Sequence, residues 1–401
     1  MGLDILQDSI ILDLETTIAA PKPHFGATPN WPANKIVAVG TRVECRYEQL
    51  SASAENLFSL MTNHPNPVLV GHNIGFDLHY LMRMPEWKQN VSKPPRVWDT
   101  MKFHHIQRSR ETPNPSLEKV AKWWKIPFKK DTEVKERFKA GIGADQIDTE
   151  LLYEYLSNDV LVTAEIFKSQ HDYCNLKGPE FTAYILDIMD SILVTTQMSC
   201  TGIQFDTKSA KKEAEQLQEK LETLEQNLKL KWEPLWPKEA HLDFNPNSPA
   251  QVEALLWGST EIKARTLESV RDEEGELVRY KTGARKGEVK TKVKEFLESV
   301  DTLVHPEAVE KFEAKGWDMK AGAQTLENIA KYDTGMAKEF AEDILELREL
   351  TKSISTYFKP YIDYAVNDTI HPNFNHCVAQ TGRLTSAKPN MQNISGKGES
   401  L

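Results

Sequence analysis

The chain has no apolar run near the ~20 residues that a membrane-spanning helix requires, and behind Met1 it carries Asp4 and Asp8 where a secretory leader would be basic. Cysteine is scarce: Cys45, Cys174, Cys200 and Cys377 are the only ones, and no two share C-x-x-C spacing. That spread argues against a zinc site and against a disulfide framework, and it points to a reducing compartment, the cytoplasm. Tandem repeats and low-complexity tracts are also missing. So is an excess of positive charge, since 49 Lys and Arg stand against 59 Asp and Glu, a formal net charge of −10. A nucleic-acid partner would have to be held by local basic patches, not by the charge of the whole.

What is present is an ordinary globular composition, 40% hydrophobic and 27% charged over 401 residues, with room for two or three domains. Residues 1–176 mix strand-like and helix-like signals, an α/β pattern. Ile10 to Thr17 and Lys35 to Tyr47 read as strands, and Ser53 to Thr62 as a helix. Pro67 to His72 reads as a short buried strand that opens into a helix through about Met84. Arg96 to Met101 is another short strand, Ser116 a plausible N-cap for a helix over Leu117 to Trp124, and Asp148 to about Cys174 one long helix. Beyond Gly178 the patterns are mostly helical: Phe181 to Met198, the highly charged Thr207 to Lys231, Gln251 to Trp257, and Leu326 to Tyr364. The stretch from His371 is polar and loop-like. Between these lies a basic segment in which Arg279, Lys281, Arg285, Lys286, Lys290, Lys292 and Lys294 face only Glu288 and Glu295. It reads either as a solvated hairpin or as a phosphate contact.

Four acids stand out. In the strand Ile10 to Thr17, Leu12 and Leu14 alternate with Asp13 and Glu15, so two carboxylates share one face. They repel each other unless a hard divalent cation such as Mg²⁺ lies between them; otherwise this is a strand edge in water. Asp77 follows Asn73 by four residues at a helix start, a spacing that puts both on one helical face; the alternative is a pair of capping groups. Asp159 falls on the core-facing stripe of the long helix with Leu152, Tyr155, Leu156, Thr163 and Ile166. A carboxylate there must be paired, protonated or bound to metal. Asp99 reads as structural.

Asp13-x-Glu15, Asn73-x-x-x-Asp77 and Tyr155-x-x-x-Asp159 stand in the order of the three motifs of the DEDD 3′–5′ exonucleases, and the chain resembles the subclass whose third motif carries tyrosine. The resemblance implies a ribonuclease H-like fold over residues 1–176 and two-metal hydrolysis of the 3′-terminal phosphodiester. Asp13, Glu15, Asp77 and Asp159 would hold two Mg²⁺ ions, or Mn²⁺ in their place, about 3.5–4 Å apart. Tyr155, with a phenol pKa near ~10, would orient the attacking water instead of acting as a base. Thr16 and Asn73 would contact the terminal nucleotide of a single-stranded DNA 3′ end.

Three later blocks, Asp243 to Trp257, Leu347 to Pro360 and Gln380 to Ile394, resemble family A DNA polymerases, the DNA polymerase I type that includes many bacteriophage replicases. This implies that residues 177–401 form a mostly α-helical thumb and the beginning of a palm, lacking the polymerase catalytic motifs, with primer–template duplex as partner. Arg383 and Gln392 would lie along the minor groove, where every base pair offers acceptors. Arg348 and Lys352 would face the template backbone, and Lys286 and Lys290 duplex phosphates. The sequence reading is a proofreading exonuclease portion of a split polymerase, whose palm and fingers come from a second polypeptide. Its alternatives are a non-catalytic DNA-clamping subunit and an exoribonuclease of the ribonuclease D kind.

Overall fold

The computed structural model describes residues 5–19, 26–43, 47–64, 66–91, 93–108, 111–128, 132–236, 243–272, 274–280 and 287–394; for 47–49, 90, 259–268 and 292–299 it describes the backbone alone. The chain divides into two compact units, one of Met1–Thr207 with Pro360–Leu401, the other of Lys208–Lys359.

The first unit opens with β1 (Ser9–Thr16), β2 (Ile36–Val43), β3 (Tyr47–Ser51), α1 (Glu55–Asn63) and β4 (Val68–Gly71). It continues through α2 (Gly75–Arg83), α3 (Pro85–Asn90), β5 (Arg96–Asp99), α4 (Thr100–Gln107), α5 (Leu117–Trp123) and α6 (Thr132–Lys139) to α7 (Thr149–Lys177) and α8 (Pro179–Thr201), with a short β6 (Ile203–Gln204). The sheet runs β3-β2-β1-β4-β5. β4 and β5 run parallel to β1, whereas β2 is antiparallel to β1 and β3 antiparallel to β2. Every residue of β4 is buried, as a short parallel strand covered on both faces requires. The single β run expected over Lys35 to Tyr47 is thus divided between β2 and β3.

α7 owes its start to Asp148, whose carboxylate accepts from the amides of Glu150 and Leu151, and its end to Gly178 at φ 97°. It lies against β1, β2 and β4, burying Leu152, Leu156 and Val160 in the same core as Ile10, Leu12, Leu69 and Trp98. α8 follows at once, with Pro179 in its first turn, and packs on α2 and β5. There Arg96 bridges Asp187 at 3.1 Å and Asp190 at 2.8 Å. This differs from a division at residue 176: Ile185, Leu186, Met189 and Ile192 of α8 complete the first unit's core, so the unit closes at Thr207.

The second unit is built on α9 (Thr207–Trp232), whose Leu217, Leu221, Leu228 and Trp232 are buried along one side of an otherwise charged helix. α10 (Pro249–Trp257) leads into a long antiparallel hairpin of β7 (Ser259–Ser269) and β8 (Thr291–Val300). α11 (Pro306–Ala314), α12 (Ala323–Tyr332) and α13 (Gly335–Lys352) follow, and α13 runs on into a π-helical stretch, Ser353–Phe358. Trp232, Phe244, Val252, Leu255, Phe312 and Phe340 form this unit's own core.

Through α14 (Lys359–Tyr364) the chain returns to the first unit, where β9 (Ala365–Val366) and β10 (Thr369–Ile370) pair with each other and β10 with β6. A last short pair, β11 (Asn373–Asn375) and β12 (Thr385–Ala387), punctuates the otherwise irregular stretch expected from His371 onward. The returning strip is fastened to the first unit by side chains: His371 Nδ1 donates to the Ser199 carbonyl at 2.8 Å, and Ser199 Oγ donates to that of Pro372 at 2.7 Å. Thr195 Oγ1 and His376 Nε2 hydrogen-bond at 2.8 Å, and the Asn114 amide donates to the Cys377 carbonyl at 2.8 Å. Gly202, at φ 69°, admits this approach, because a Cβ there would stand 2.6 Å from Thr369 Cγ2. These bonds explain why 360–394 folds with the first unit and not with residues 208–359.

Candidate active site

Asp13 and Glu15 lie toward the carboxyl end of β1, partly buried and alternating with the buried Leu12, Leu14 and Thr16. The pairing of β1 with β4 ends at Ile11 opposite Val70, and beyond that point the Leu14 amide has no strand partner on that side. Asp77 supplies one: its Oδ1 accepts from the Leu14 amide at 3.0 Å. A carboxylate from the helix after β4 thereby replaces a missing sheet bond and is drawn to the acids of β1. α7 brings Asp159, buried, and Tyr155, partly buried, to the same place; Tyr155 hydrogen-bonds to Asp159. Sites at the carboxyl ends of strands are where α/β sheets leave a crevice.

The electrostatics record the convergence. Burial, then the charge of Asp159, pushes the Asp13 carboxyl well above the usual carboxylate range. Glu15 is raised by burial and by Asp13, Asp159 and Asp77 in turn. Asp77 is raised by burial and then by Asp13, against the Leu14 hydrogen bond that favours its charged form. Tyr155 is driven upward by burial and by Asp159, Glu15 and Asp13, which favours its protonated phenol. The donor set is all carboxylate, and its members destabilise one another's charge, which is the chemistry a hard divalent cation relieves. The side chains as they stand are not drawn together into a ligand set: among the described residues, no group of three or more His, Cys, Asp or Glu is arranged to hold a metal ion.

Asn73 departs from expectation. It precedes α2 and takes a left-handed backbone at φ 62°, exposed, so it shares no helical face with Asp77. Its amide donates to Asp99 Oδ1 at 3.1 Å, and Asp99 also caps α4 by accepting from the amides of Met101 and Lys102. Thr16 is buried and hydrogen-bonds with Tyr80, whose own hydroxyl donates to the Ala27 carbonyl at 2.7 Å. Phe76 stands edge-on to Tyr80 at 5.4 Å, and Phe138 of α6 edge-on to Tyr155 at 6.1 Å.

Gly40 is a residue the sequence reading passed over. It stands opposite Asp13 in the β1–β2 register, and a Cβ on it would lie 2.7 Å from Val160 Cγ2 and 2.9 Å from Leu156 Cγ. Its bare backbone lets α7 lie close enough to bring Asp159 to Asp13. A glycine inside a β run was the available signal, since it marks a close approach.

The residues expected to meet duplex DNA are distributed over both units. In the first, Arg383 and Gln392 are exposed, and the Gln392 amide is bonded to Asn390 Oδ1 at 3.0 Å. In the second, Lys352 is exposed on α13, whereas Arg348 is half-buried and donates to the Ala321 carbonyl at 2.5 Å. That bond ties the guanidinium to its own unit. Lys290 is exposed just before β8, and Lys286 lies outside the described residues.

Residues 292–400 match the family model of DNA polymerase family A. This segment is related to the family A DNA polymerases. Among curated proteins, the chain is 27% identical over 204 residues to DNA polymerase I of Bacillus caldotenax, covering 50% of this chain and 16% of that protein. It is 47% identical over 60 residues to the thermostable DNA polymerase I of Thermus aquaticus, covering 14% of this chain and 7% of that one. A solved structure, the POL domain of Pol1 from M. smegmatis in complex with DNA primer-template and dNTP, aligns over 98% of this chain and 54% of its own at a TM-score of 0.57 and 14% identity. At that identity the likeness shows the fold alone. This chain spans about half of that structure, and its matched stretch a small part of the curated relatives. The polymerase-related segment includes Arg348, Lys352, Arg383 and Gln392, and Asp13 to Asp159 fall before it.

Proposed function

We propose that the first unit is a ribonuclease H-like 3′–5′ exodeoxyribonuclease that proofreads for a family A polymerase and releases nucleoside 5′-monophosphates. One observation carries the reading: Asp77 Oδ1, from the helix after β4, accepts from the amide of Leu14, the residue between Asp13 and Glu15, and α7, packed on β1, carries Tyr155 and Asp159. The four carboxylates would hold two Mg²⁺ or Mn²⁺ ions. When bound, such ions supply a water of lowered pKa and balance the charge on the leaving 3′ oxygen. Tyr155, held protonated, donates and orients. It is a positioning group for the water and for Asp159, not a base. Asn73, exposed ahead of α2, and the buried Thr16 at the end of β1 would contact the terminal nucleotide.

The family A relationship of 292–400 supports DNA as the substrate and primer–template duplex as the partner of the exposed Arg383, Gln392 and Lys352, with the exposed Lys290 just before that segment. A second polypeptide carrying palm and fingers is not needed for this reading, because the five site residues all lie between 13 and 159. The test is release of nucleoside monophosphates from a labelled single-stranded 3′ end in Mg²⁺ or Mn²⁺. Wild type should act and Asp13→Ala should lose at least about a hundredfold in rate, in line with the worth of metal and electrostatic groups in such sites. Indistinguishable rates for the two proteins would sink the proposal.

A second reading has its own observation. The acids are not arranged as a metal ligand set, which suits a non-catalytic subunit that only clamps DNA. Calorimetric titration separates the two: the exonuclease takes up divalent ions in a manner lost with Asp77→Asn, and the clamp takes up none.

A further inference from the structure

A surface of the first unit carries an unassigned combination of charge and aromatic rings. α5 buries Val120 and Ala121 against Val162 and Ile166 of α7. Lys119, Lys122 and Trp123 are exposed, at i, i+3 and i+4, and so form one outward stripe. Trp123 is 38% exposed, large for an indole, and no core packing accounts for its outer face. The Arg108 guanidinium stands over its ring at 5.7 Å, and His104 meets it edge-on at 5.2 Å. Lys125, exposed at φ 60°, extends the stripe past the end of α5. Two acids lie near: Glu111 pairs with Arg108 at 3.6 Å, and Glu118 is half-buried. Lysines 119, 122 and 125 still leave a local positive surface on a chain of net charge −10.

α5 is tied to the segment that leads into α2, the helix that carries Asp77. His72, next to Asn73, donates through Nε2 to the Pro115 carbonyl at 3.0 Å, and Ser116 caps α5. From Ser116 the helix rises about 1.5 Å per residue, so Trp123 stands roughly 10 Å along α5 from the loop that touches His72.

We infer that the α5 stripe of Lys119, Lys122 and Trp123, with Arg108, is a binding surface for the single-stranded DNA that leads to the 3′ end, several nucleotides upstream of the candidate site. The chemistry selects a nucleic-acid strand over an acidic protein. A flat indole with a guanidinium over it offers stacking to any base, and lysines one turn apart follow a phosphate backbone. The placement along the strand rests on the exonuclease reading; the binding itself does not.

The experiment measures fluorescence anisotropy of oligo-dT probes of roughly 4 and 16 nucleotides in EDTA, where no metal-dependent cleavage can occur. Lys119→Glu/Lys122→Glu and Trp123→Ala should each weaken the long probe about tenfold and leave the short probe unchanged, while Trp123→Phe binds as wild type. The double lysine variant should also flatten the salt dependence by about 1.4 in slope, ~0.7 for each lost phosphate contact. In the hydrolysis assay the same variants raise KM for a long single strand and leave kcat alone. Long-probe affinity unchanged in both variants overturns the inference, as does an equal loss on both probes. Loss in the lysine variant with none in Trp123→Ala also overturns it, because it indicates a charge-only surface of the kind an acidic protein would use. Length-dependent binding without any nucleotide release would retain this surface and reject the exonuclease.

Discussion

Asp77 shows how a single residue serves fold and site together. Its Oδ1 completes the hydrogen bonding of β1 at Leu14, yet its charge is opposed by burial and by Asp13. An asparagine keeps the acceptor and removes the charge. Asp77→Asn is therefore expected to raise the melting temperature of the metal-free protein at neutral pH, by about 2–4 °C for each kcal/mol relieved, while abolishing nucleotide release. Differential scanning calorimetry with and without Mg²⁺ checks this, and wild type alone should gain stability from the ion. Histidines provide the pH test. Burial lowers His72 to about 4, and burial with the Lys102 charge lowers His376 to about 3. In both, the folded state refuses a proton that the unfolded chain accepts near its ordinary pKa of ~6.5, so their contribution is complete above that value and is lost as pH falls toward the folded values. Denaturant melts at pH 7.5 and 5 should show a smaller acid loss in His376→Gln than in wild type, by up to ~1.4 kcal/mol for each pH unit in the window.

At the level of elements, the site depends on how closely α7 lies on the sheet. Asp159 reaches Asp13 across the place where Gly40 has no side chain to keep Val160 and Leu156 away. Gly40→Ala is predicted to cost about 1–3 kcal/mol by overpacking. It should also lower kcat more than a lysine change on the outer face of α5 does, because it displaces the helix that carries Tyr155 and Asp159. Steady-state rates alongside thermal melts test the pair. The long helix from Asp148 and its inward stripe through Asp159 were legible from residue spacing alone. The closeness of α7 to β2 was not, since it depends on a tertiary contact between residues more than a hundred positions apart. The same holds for Asn73. Four-residue spacing puts it on a helical face with Asp77, but the helix starts at Gly75 and the Asn73 amide is used by Asp99.

For the whole molecule, the second unit has a core of its own, from Leu221 to Leu347, with Trp232, Phe312 and Phe340 buried in it. Residues 208–359 expressed alone should therefore give a helical circular dichroism spectrum and a cooperative melt; a noncooperative, ANS-binding product would show that this core does not suffice. The first unit should not tolerate loss of 360–394 as readily, since His371, Pro372, His376 and Cys377 are bonded into α8 and the loop before α5.

Local pattern alone determined most of the elements and the order of the acids along the chain. Alternation, capping residues and helical periodicity are properties of neighbours in sequence, and physical chemistry acts on them at short range. Tertiary structure decided the rest: that the final strip closes on the first unit, that Arg348 is tied to Ala321, and that Asp77 takes the place of a strand partner at Leu14. Each is settled by a hydrogen bond or a close packing contact between distant residues, and no window of sequence contains both partners.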